Sequence, residues 1–180
     1  MKLNLGCGRH RRSDCLNVDI QPALGPDLIV DLNKYPYPLR GNRFEHIYAL
    51  DVVEHLDRVE RFMEEAYRLL VPNGLLEITT PHFSSANSYA DPTHRQHLGF
   101  YSFDYFTPNS PYSFYSSARF EIIERKLVFN SSLPDRLAER LANRYPVAYE
   151  KRIAWLWPAW FLLFQLRAVK DADKAVGGDP

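Results

Sequence analysis

Seven short apolar runs, each bounded by residues that favour turns, constrain the fold of this chain more than any other feature of its sequence. They cover residues 3–5, 16–20, 28–30, 46–50, 75–80, 120–129 and 161–169. Nearly continuous apolar runs of this length are typical of strands that are buried on both faces of a parallel sheet. The sequence therefore predicts an α/β fold that is built around one sheet.

The clearest helix is predicted at residues 57–70. Its apolar side chains recur at helical spacing, and Asp57 with Glu60 matches a capping box. Pro72-Asn73-Gly74 is expected to end the helix and to turn the chain into the fifth strand. A strand, a helix and a second strand in this order predict a parallel crossover unit.

Two more helices are predicted late in the chain, at about 134–143 and 147–157. They form a helical insert at about 130–160, between the last two strands. The length of 180 residues and the lack of a linker predict a single domain over residues 1–180. Residues 176–180 are expected to be a frayed tail.

The first three strands are joined by unusually short connections, residues 7–15 and 21–27. Parallel neighbours normally need a dozen or more connecting residues, usually with a helix, so we predict that the early crossover helices are reduced. One face of the sheet would then lack its usual cover, at a cost of roughly 25 cal/mol per Å² of exposed apolar surface. We expect the late insert, a second subunit or both to cover that face, which makes a homodimer possible.

Charge and cysteine content exclude several classes of protein. The 22 basic and 22 acidic side chains give a net charge of zero, which argues against a nucleic-acid partner because phosphate binding needs a basic surplus. Cys7 and Cys15 are too few for a disulfide framework or a structural zinc site. The chain begins without the pattern of a signal peptide, and we expect a cytoplasmic protein.

One segment, residues 153–164, reads as twelve apolar residues with Pro158 in their midst. A membrane-spanning helix needs about 20 apolar residues, so no transmembrane segment is predicted. The segment fits the core or a subunit interface. Its three tryptophans beside basic residues leave peripheral membrane contact as the alternative.

A glycine turn follows the first predicted strand, and an acidic residue ends the second. Gly6-Cys7-Gly8 allows a sharp turn and a close approach to a ligand, and Asp19 could accept hydrogen bonds from ribose hydroxyls. Together they are typical of a nucleotide-type site at the carboxyl ends of parallel strands. A nicotinamide-binding fingerprint would need a third glycine where Arg11 stands. Alone, the glycines are equally explained as a structural turn.

A series of motifs in order resembles the class I S-adenosylmethionine (SAM)-dependent methyltransferases. The motifs are residues 3–8 (LNLGCG), 17–19 (NVD), 30–32 (VDL), 50–56 (LDVVEHL) and 70–76 (LVPNGLL). Residues 90–95 (ADPTHR) and 100–106 (FYSFDYF) more closely resemble short predicted methyltransferases that are linked to sugar and glycan pathways. The resemblance implies a Rossmann-like sheet, mostly parallel with an antiparallel last strand, and SAM as cofactor.

The resemblance also implies roles for individual residues. The glycine turn would line the methionine part of the cofactor, the second strand end would hold its ribose, the third would meet the adenine, and the fourth would lie near the sulfonium. The implied cofactor-binding residues are Gly6, Cys7, Gly8, Asp19, Ile20, Asp31, Leu32, Leu50, Asp51 and His55.

Histidines are the best candidates for catalysis, since a hydroxyl acceptor gains from a base whose pKa lies near the working pH. His82 follows the fifth strand, and His94 lies beyond it, so each could act as a base or contact the substrate. Asp91 could orient one of them. Tyr89, Arg95 and Tyr101 are predicted to contact a small-molecule or sugar-type acceptor. Each of these residues also has an ordinary structural explanation.

Asp91, His94 and His97, together with His82, have the residue types of a metal site. Class I methyl transfer needs no metal, so we predict none. The predicted function is methyl transfer to a small molecule or sugar-type acceptor. The alternatives are a non-catalytic SAM-binding partner or regulator of another enzyme, and a nucleotide-dependent oxidoreductase, which Arg11 disfavours.

Overall fold

The predicted strands form one sheet of seven in the computed structural model, which describes residues 1–170. The strands are β1 (Lys2–Leu5), β2 (Cys15–Asp19), β3 (Leu28–Ile29), β4 (Phe44–Leu50), β5 (Leu70–Pro81), β6 (Phe120–Val128) and β7 (Phe161–Ala168). Their spatial order is β3-β2-β1-β4-β5-β7-β6. Strands β1 to β5 pair in parallel, whereas β7 is antiparallel to both β5 and β6. The mostly parallel sheet with an antiparallel last strand is confirmed.

Four α-helices accompany the sheet among the described residues: α1 (Val59–Leu69), α2 (Asn87–Ala90), α3 (Leu133–Arg144) and α4 (Pro146–Arg152). Short 3₁₀ turns lie at Pro22–Leu24, Val53–His55, Ser102–Phe106 and Ser113–Tyr115. The first three strands are connected without an α-helix, as predicted. No helix within residues 1–170 has the length and apolar character needed to cross a membrane. The predicted tail at 176–180 lies outside the described residues.

The main helix forms where it was predicted, but its predicted cap is wrong. Helix α1 begins after Arg58, whose side chain makes no capping hydrogen bond. Glu60 instead accepts a 2.6 Å hydrogen bond from the Arg58 guanidinium, and Asp57 pairs with Arg95. The helix is held by burial of one face, since Phe62 and three further side chains of that face lie in the core.

The turn predicted at Pro72-Asn73-Gly74 lies inside a strand. Strand β5 begins at Leu70, directly after α1, and the pairing with β4 shifts register between Phe44 and His46. Asn73 adopts a left-handed backbone, with φ of 63°, which asparagine tolerates better than most residues. The turn chemistry therefore produces a strand irregularity rather than a loop.

The sheet has one apolar face, which carries the core. Its inward side chains include Leu3, Leu5, Val18, Ile47, Ala49, Leu76, Ile78, Phe164 and Leu166. Helix α1 and the aromatic segment 100–106 contribute to the same continuous core. Phe103, for example, packs edge-on against Phe164 with ring centroids 4.7 Å apart. A single domain over 1–180 stays a prediction.

The opposite face of the sheet is polar, which corrects the expectation that both faces are buried and apolar. One row across it consists of Asn17, Asn4, Tyr48, Glu77, Gln165 and Glu124. Strand β7 accordingly alternates between buried and partly exposed residues along its length. Glu77, Gln165 and Glu124 are partly or fully exposed and are hydrated without the cost of exposed apolar surface, so this part of the face needs no helical or subunit cover.

The short connection after β1 covers part of that polar face. The Arg12 guanidinium lies 3.9 Å from the centroid of the Tyr48 ring. Asn4 donates hydrogen bonds to the side chain of Asn17 and to the carbonyl of His10. A dense polar network therefore covers this part of the face, where a crossover helix would otherwise pack through apolar contacts.

The late insert packs on the edge strand β6, not on the polar face of the early strands. Asn143 of α3 donates to the Leu127 carbonyl (2.8 Å) and accepts from the Leu127 N–H (2.9 Å). The Tyr149 hydroxyl of α4 donates to the Trp157 carbonyl (2.9 Å) and accepts from the Ala159 N–H (2.7 Å). The two helices are confirmed at Leu133–Arg144 and Pro146–Arg152, but their predicted role as sheet cover is wrong.

Candidate active site

Two neighbouring cavities open at the carboxyl ends of the parallel strands. The first, which we call the glycine-turn cavity, has a volume of about 290 Å³ and is lined by Gly6, Asp19, Ile20, Val30, Asp31, Leu32, Asn33, Asp51, Val52, His55 and Leu56. The second, which we call the histidine cavity, has a volume of about 590 Å³ and is lined by Asp51, Glu54, His55, Pro81, Asn87, Ala90, Asp91, Pro92, His94 and Phe161. Asp51 and His55 line both.

The glycine turn needs its glycines for two different reasons. Gly6 has φ of 62°, and a Cβ atom there would lie 2.5 Å from Cγ2 of Val52. Gly8 has φ of 50° with open space around it, and its N–H donates a 2.7 Å hydrogen bond to the Asp19 carboxylate. The Cys7 side chain between them is buried and lines neither cavity. The turn therefore presents backbone, rather than side chains, to the glycine-turn cavity.

Two carboxylates at the ends of β2 and β3 are fixed by backbone donors. Asp19 is 8% exposed and accepts from the N–H groups of Gly8 and Gln21. Asp31 accepts a 3.0 Å hydrogen bond from the Asn33 N–H. Each carboxylate oxygen has two lone-pair directions, so both groups can still accept from a ligand in the cavity they line.

Asp51 lies at the junction of the two cavities in a strained conformation. Its φ of 57° places a non-glycine residue in the left-handed region. The Thr79 hydroxyl donates to its carboxylate (2.9 Å), and its own N–H donates to the Thr79 carbonyl (3.0 Å). Leu50, the residue before it, lines neither cavity. Strain of this kind is characteristic of functional sites.

The segment at residues 91–96 folds back over the 3₁₀ turn Val53–His55. The backbone N–H groups of Arg95 and Gln96 both donate to the Glu54 carbonyl, at 2.7 and 3.0 Å. Thr93 lies 2.8 Å from Nδ1 of His55. This docking brings residues that are distant in sequence to one wall of the histidine cavity.

Glu54 on that wall is a site residue that the sequence analysis missed. It is 1% exposed, and neither carboxylate oxygen has a hydrogen-bond partner in the described part of the chain. Burial raises the pKa of this carboxyl to about 7. The available signal was its position directly before His55, in the stretch that the resemblance assigned to the ligand side.

His55 and His94 are neighbours in the histidine cavity. Their rings meet edge to face with centroids 4.6 Å apart. Burial, followed by the nearby His94, lowers the pKa of His55, so its neutral form is favoured. One potential ligand atom each from Glu54, His55 and His94 lies within 4.8 Å of the other two.

The predicted catalytic residues separate into two groups. His94 and Asp91 line the histidine cavity. His82 is fully buried, with Nδ1 2.7 Å from the Ser84 hydroxyl and Nε2 3.2 Å from the Glu150 carboxylate. Because it lines neither cavity, its placement does not support the predicted catalytic role. It holds α4 against the end of β5.

The predicted substrate residues lie outside both cavities. Tyr89 is exposed and stacks on His97 with ring centroids 4.4 Å apart. Arg95 forms its ion pair with Asp57. The Tyr101 ring lies beneath the guanidinium of Arg125 at 4.8 Å. These positions do not support direct contact with a substrate in the histidine cavity.

A comparison with protein families matches part of this chain. A sequence profile described as a methyltransferase domain matches residues 3–78, which include the glycine turn, Asp19, Asp31 and the whole 3₁₀ turn of the histidine cavity. Residues 3–78 are therefore similar to methyltransferase domains. The cofactor that this similarity indicates is SAM.

Solved structures share the fold of this chain. A SAM-dependent methyltransferase from Mesorhizobium loti is 17% identical, with a TM-score of 0.57 over 92% of this chain and 89% of that one. One from Archaeoglobus fulgidus is 19% identical, with a TM-score of 0.52 over 92% and 85%. The [4+2]-cyclase SpnF is 18% identical, with a TM-score of 0.56 over 94% and 75%. No curated protein sequence matches this chain.

Proposed function

We propose that this protein transfers a methyl group from SAM to a small-molecule or sugar-type acceptor that binds in the histidine cavity. The observation that carries the proposal is the common wall of the two cavities, formed by Asp51 and His55. A cofactor in one cavity and an acceptor in the other would meet there. Holding the two reactants in line can supply much of the rate of a displacement reaction.

The glycine-turn cavity suits the cofactor. Absence of a side chain at Gly6 leaves the backbone open to the methionine part, and the buried carboxylate of Asp19 can accept from a ribose diol. Asp31 and Leu32 line the same cavity, and in this proposal they contact the adenine. When bound, SAM supplies a methyl group on a sulfonium, which is already a good leaving group.

The histidine cavity suits a small polar acceptor. Its volume of about 590 Å³ lies within the usual range for small-ligand sites, about 300–1,000 Å³. Asp91 and His94 contact the acceptor in this proposal, while Pro81 and Phe161 supply apolar wall. Hydroxyl-bearing acceptors, including sugars, fit such a mixture of polar and apolar groups.

A non-catalytic SAM-binding role is the less favoured alternative. It would explain the reduced crossovers, but it gives no reason for a second cavity with five ionisable side chains, two of which it shares with the cofactor cavity. The cytoplasmic location and the homodimer remain predictions.

The proposal is tested by thermal-shift measurements with SAM, S-adenosylhomocysteine, NAD and NADP. One site saturated at 100 times its dissociation constant adds about 2.7 kcal/mol of stability, so SAM and S-adenosylhomocysteine should raise the Tm clearly. Asp19→Ala should abolish the shift, because it removes the ribose acceptor. Asp14→Ala, which removes an exposed ion pair with Lys2 and a hydrogen bond from the Cys15 thiol, is the control at a carboxylate that lines neither cavity. A shift with NAD but not with SAM would refute the proposal.

A further inference from the structure

The wall of the histidine cavity concentrates hydrogen-bond acceptors. The Glu54 carboxylate is buried at 1% exposure with both oxygens unpartnered, and it faces a cavity that His55 and His94 also line. A buried carboxylate without hydrogen bonds is costly unless a charge compensates it. The Thr80 hydroxyl, which is also unpartnered, lies close enough to interact with this carboxylate, but a hydroxyl cannot supply the compensating charge.

The hydrogen-bond network determines the neutral tautomer of His55 and of His94. The Thr93 hydroxyl donates its single hydrogen to Asp91 (2.7 Å), so it must accept from Nδ1–H of His55 (2.8 Å). His94 has Nδ1 3.3 Å from the Ser88 carbonyl, which can only accept. When either ring is neutral, its proton therefore lies on Nδ1, and Nε2 keeps a lone pair that can bind a cation.

We propose that Glu54, His55 and His94 bind a divalent cation in the histidine cavity. Two imidazoles and one carboxylate, each contributing an atom within 4.8 Å of the others, match the ligand set of open, catalytic Zn²⁺ sites. Thr93 and the Ser88 carbonyl orient the rings, as second partners of metal-binding histidines generally do. All three side chains line the histidine cavity, so an ion held by them would be accessible from it.

The cation class and its role follow from this ligand set. Mixed nitrogen and oxygen ligands favour Zn²⁺ and similar first-row ions over Mg²⁺ or Ca²⁺, which prefer oxygen. An open position toward the histidine cavity would hold an oxygen of the acceptor beside Asp51 and His55. This last step rests on the proposed function, whereas the metal site itself does not.

The test is calorimetric titration of Zn²⁺ into untagged, chelator-treated full-length protein. We expect one ion per chain, and at least about tenfold weaker binding in Glu54→Gln and His94→Ala. His97→Ala is the control, since that ring stacks on Tyr89 outside the cavity. Visible absorption of Co²⁺ in place of Zn²⁺ gives a second readout, which the two variants should lose.

The outcomes separate the metal site from the proposed function. No Zn²⁺ binding, or equal binding by Glu54→Gln and His94→Ala, overturns the metal site. S-adenosylhomocysteine binding is measured on the same samples and should persist in both variants. If the unaltered protein binds Zn²⁺ but not S-adenosylhomocysteine, the proposed function is refuted and the metal site is supported.

A second inference rests on an independent observation, the outer surface of the insert. Helix α3 exposes leucines four residues apart, with Leu133 at 79% and Leu137 at 59% exposure, and the segment after α4 exposes Trp155 at 67% and Leu156 at 82%. An apolar groove of about 480 Å³ runs between the two helices. The groove is continuous from Leu137 to Ile153 and Trp157, and exposed apolar surface of this kind marks an interaction site.

The same surface is positively charged. Its carboxylates are bound within the protein: Asp135 accepts from Ser132 and Trp157, Glu139 from Lys126 and Phe129, and Glu150 from Phe100. Its exposed cations have no acidic partner within residues 1–170: Arg136, Arg140, Arg144, Lys151 and Arg152. Two copies meeting at this surface would bring like charges together, which disfavours a symmetric dimer there.

We propose that the insert surface docks on an anionic lipid bilayer. Tryptophan and leucine side chains beside cations are the composition of interfacial membrane anchors, and each cation near an anionic surface contributes about 1 kcal/mol. No membrane-spanning segment is needed for this mode of binding.

Vesicle flotation tests the lipid proposal. The protein should float with vesicles of phosphatidylcholine and phosphatidylglycerol at 3:1, and not with phosphatidylcholine alone. Trp155→Ala/Leu156→Ala should reduce the bound fraction several-fold, whereas Ile29→Ala, which removes an apolar side chain that is 57% exposed on β3, should not. Absence of binding to the anionic vesicles overturns the proposal. So does a dimer in light scattering that Leu137→Asp dissociates, because the surface would then join two copies.

Discussion

At the scale of single residues, Gly6 and Gly8 have similar backbones but different surroundings. Both have positive φ, yet only Gly6 faces a neighbour, with Val52 2.5 Å from where its Cβ would be. Substitution at Gly6 must therefore displace Val52 as well as strain the backbone. This difference allows the steric cost and the conformational cost to be measured separately.

We predict that Gly6→Ala lowers the free energy of unfolding by about 2–4 kcal/mol, the sum of left-handed strain and overpacking. Gly8→Ala should cost only the strain, about 1–2 kcal/mol. Urea denaturation without ligand measures both. In a Val52→Ala background the Gly6→Ala cost should fall towards the Gly8→Ala value. If it does not fall, the contact with Val52 is not what excludes a side chain at position 6.

At the scale of secondary-structure elements, the insert protects the outer edge of the sheet. Strand β6 is an edge strand, and free N–H and C=O groups on such edges invite pairing with other chains. The Asn143 amide occupies both backbone groups of Leu127. The Asn143 side chain of α3 therefore makes the two hydrogen bonds that a neighbouring strand would make with Leu127.

We predict that Asn143→Ala lowers the free energy of unfolding by about 1–3 kcal/mol, because the Leu127 groups lose their partner. Arg140→Ala on the same helix is exposed and should change it by less than about 0.5 kcal/mol. Chemical denaturation of the two variants gives the comparison. Equal effects would mean that the Asn143 bonds are replaced by water at no cost.

At the scale of the whole molecule, stability should be unevenly distributed. The central strands share one core with α1, whereas the insert contacts the sheet along β6 and at the end of β5. Regions with few buried contacts open at lower free energy than the core. The surface that we assign to lipid binding thus lies on a part of the described chain that packs against the edge of the sheet rather than against its centre.

Hydrogen–deuterium exchange should reveal this order. We predict that amides of β1, β4 and β5 exchange slowest, and that those of α3 and α4 exchange faster by local opening. Tyr149→Phe leaves the Ala159 N–H without its acceptor. It should accelerate amide exchange in the insert and leave exchange in β4 unchanged. Exchange of the insert as slow as that of β5 would contradict this picture.

The sequence by itself determined the strands, the main helix and the glycine turn, because these depend on local periodicity and backbone preference. Residues 3–5 and 161–169 were recognised as strands within one residue of their observed bounds. The polar face was missed even though Glu77 and Gln165 stand at alternate positions in their runs, since a few polar residues do not interrupt an apolar run. Asn73 indicated a left-handed residue, but not that it lies within a strand.

Only the tertiary structure decided which residues meet in the histidine cavity. His82 and His94 looked equivalent in the sequence, yet one is enclosed beside Glu150 and the other faces the cavity. The burial of Glu54 depends on the segment at 91–96 folding back over it. Burial and hydrogen-bond partners are long-range properties that no local pattern encodes, and they are what give these side chains their chemistry.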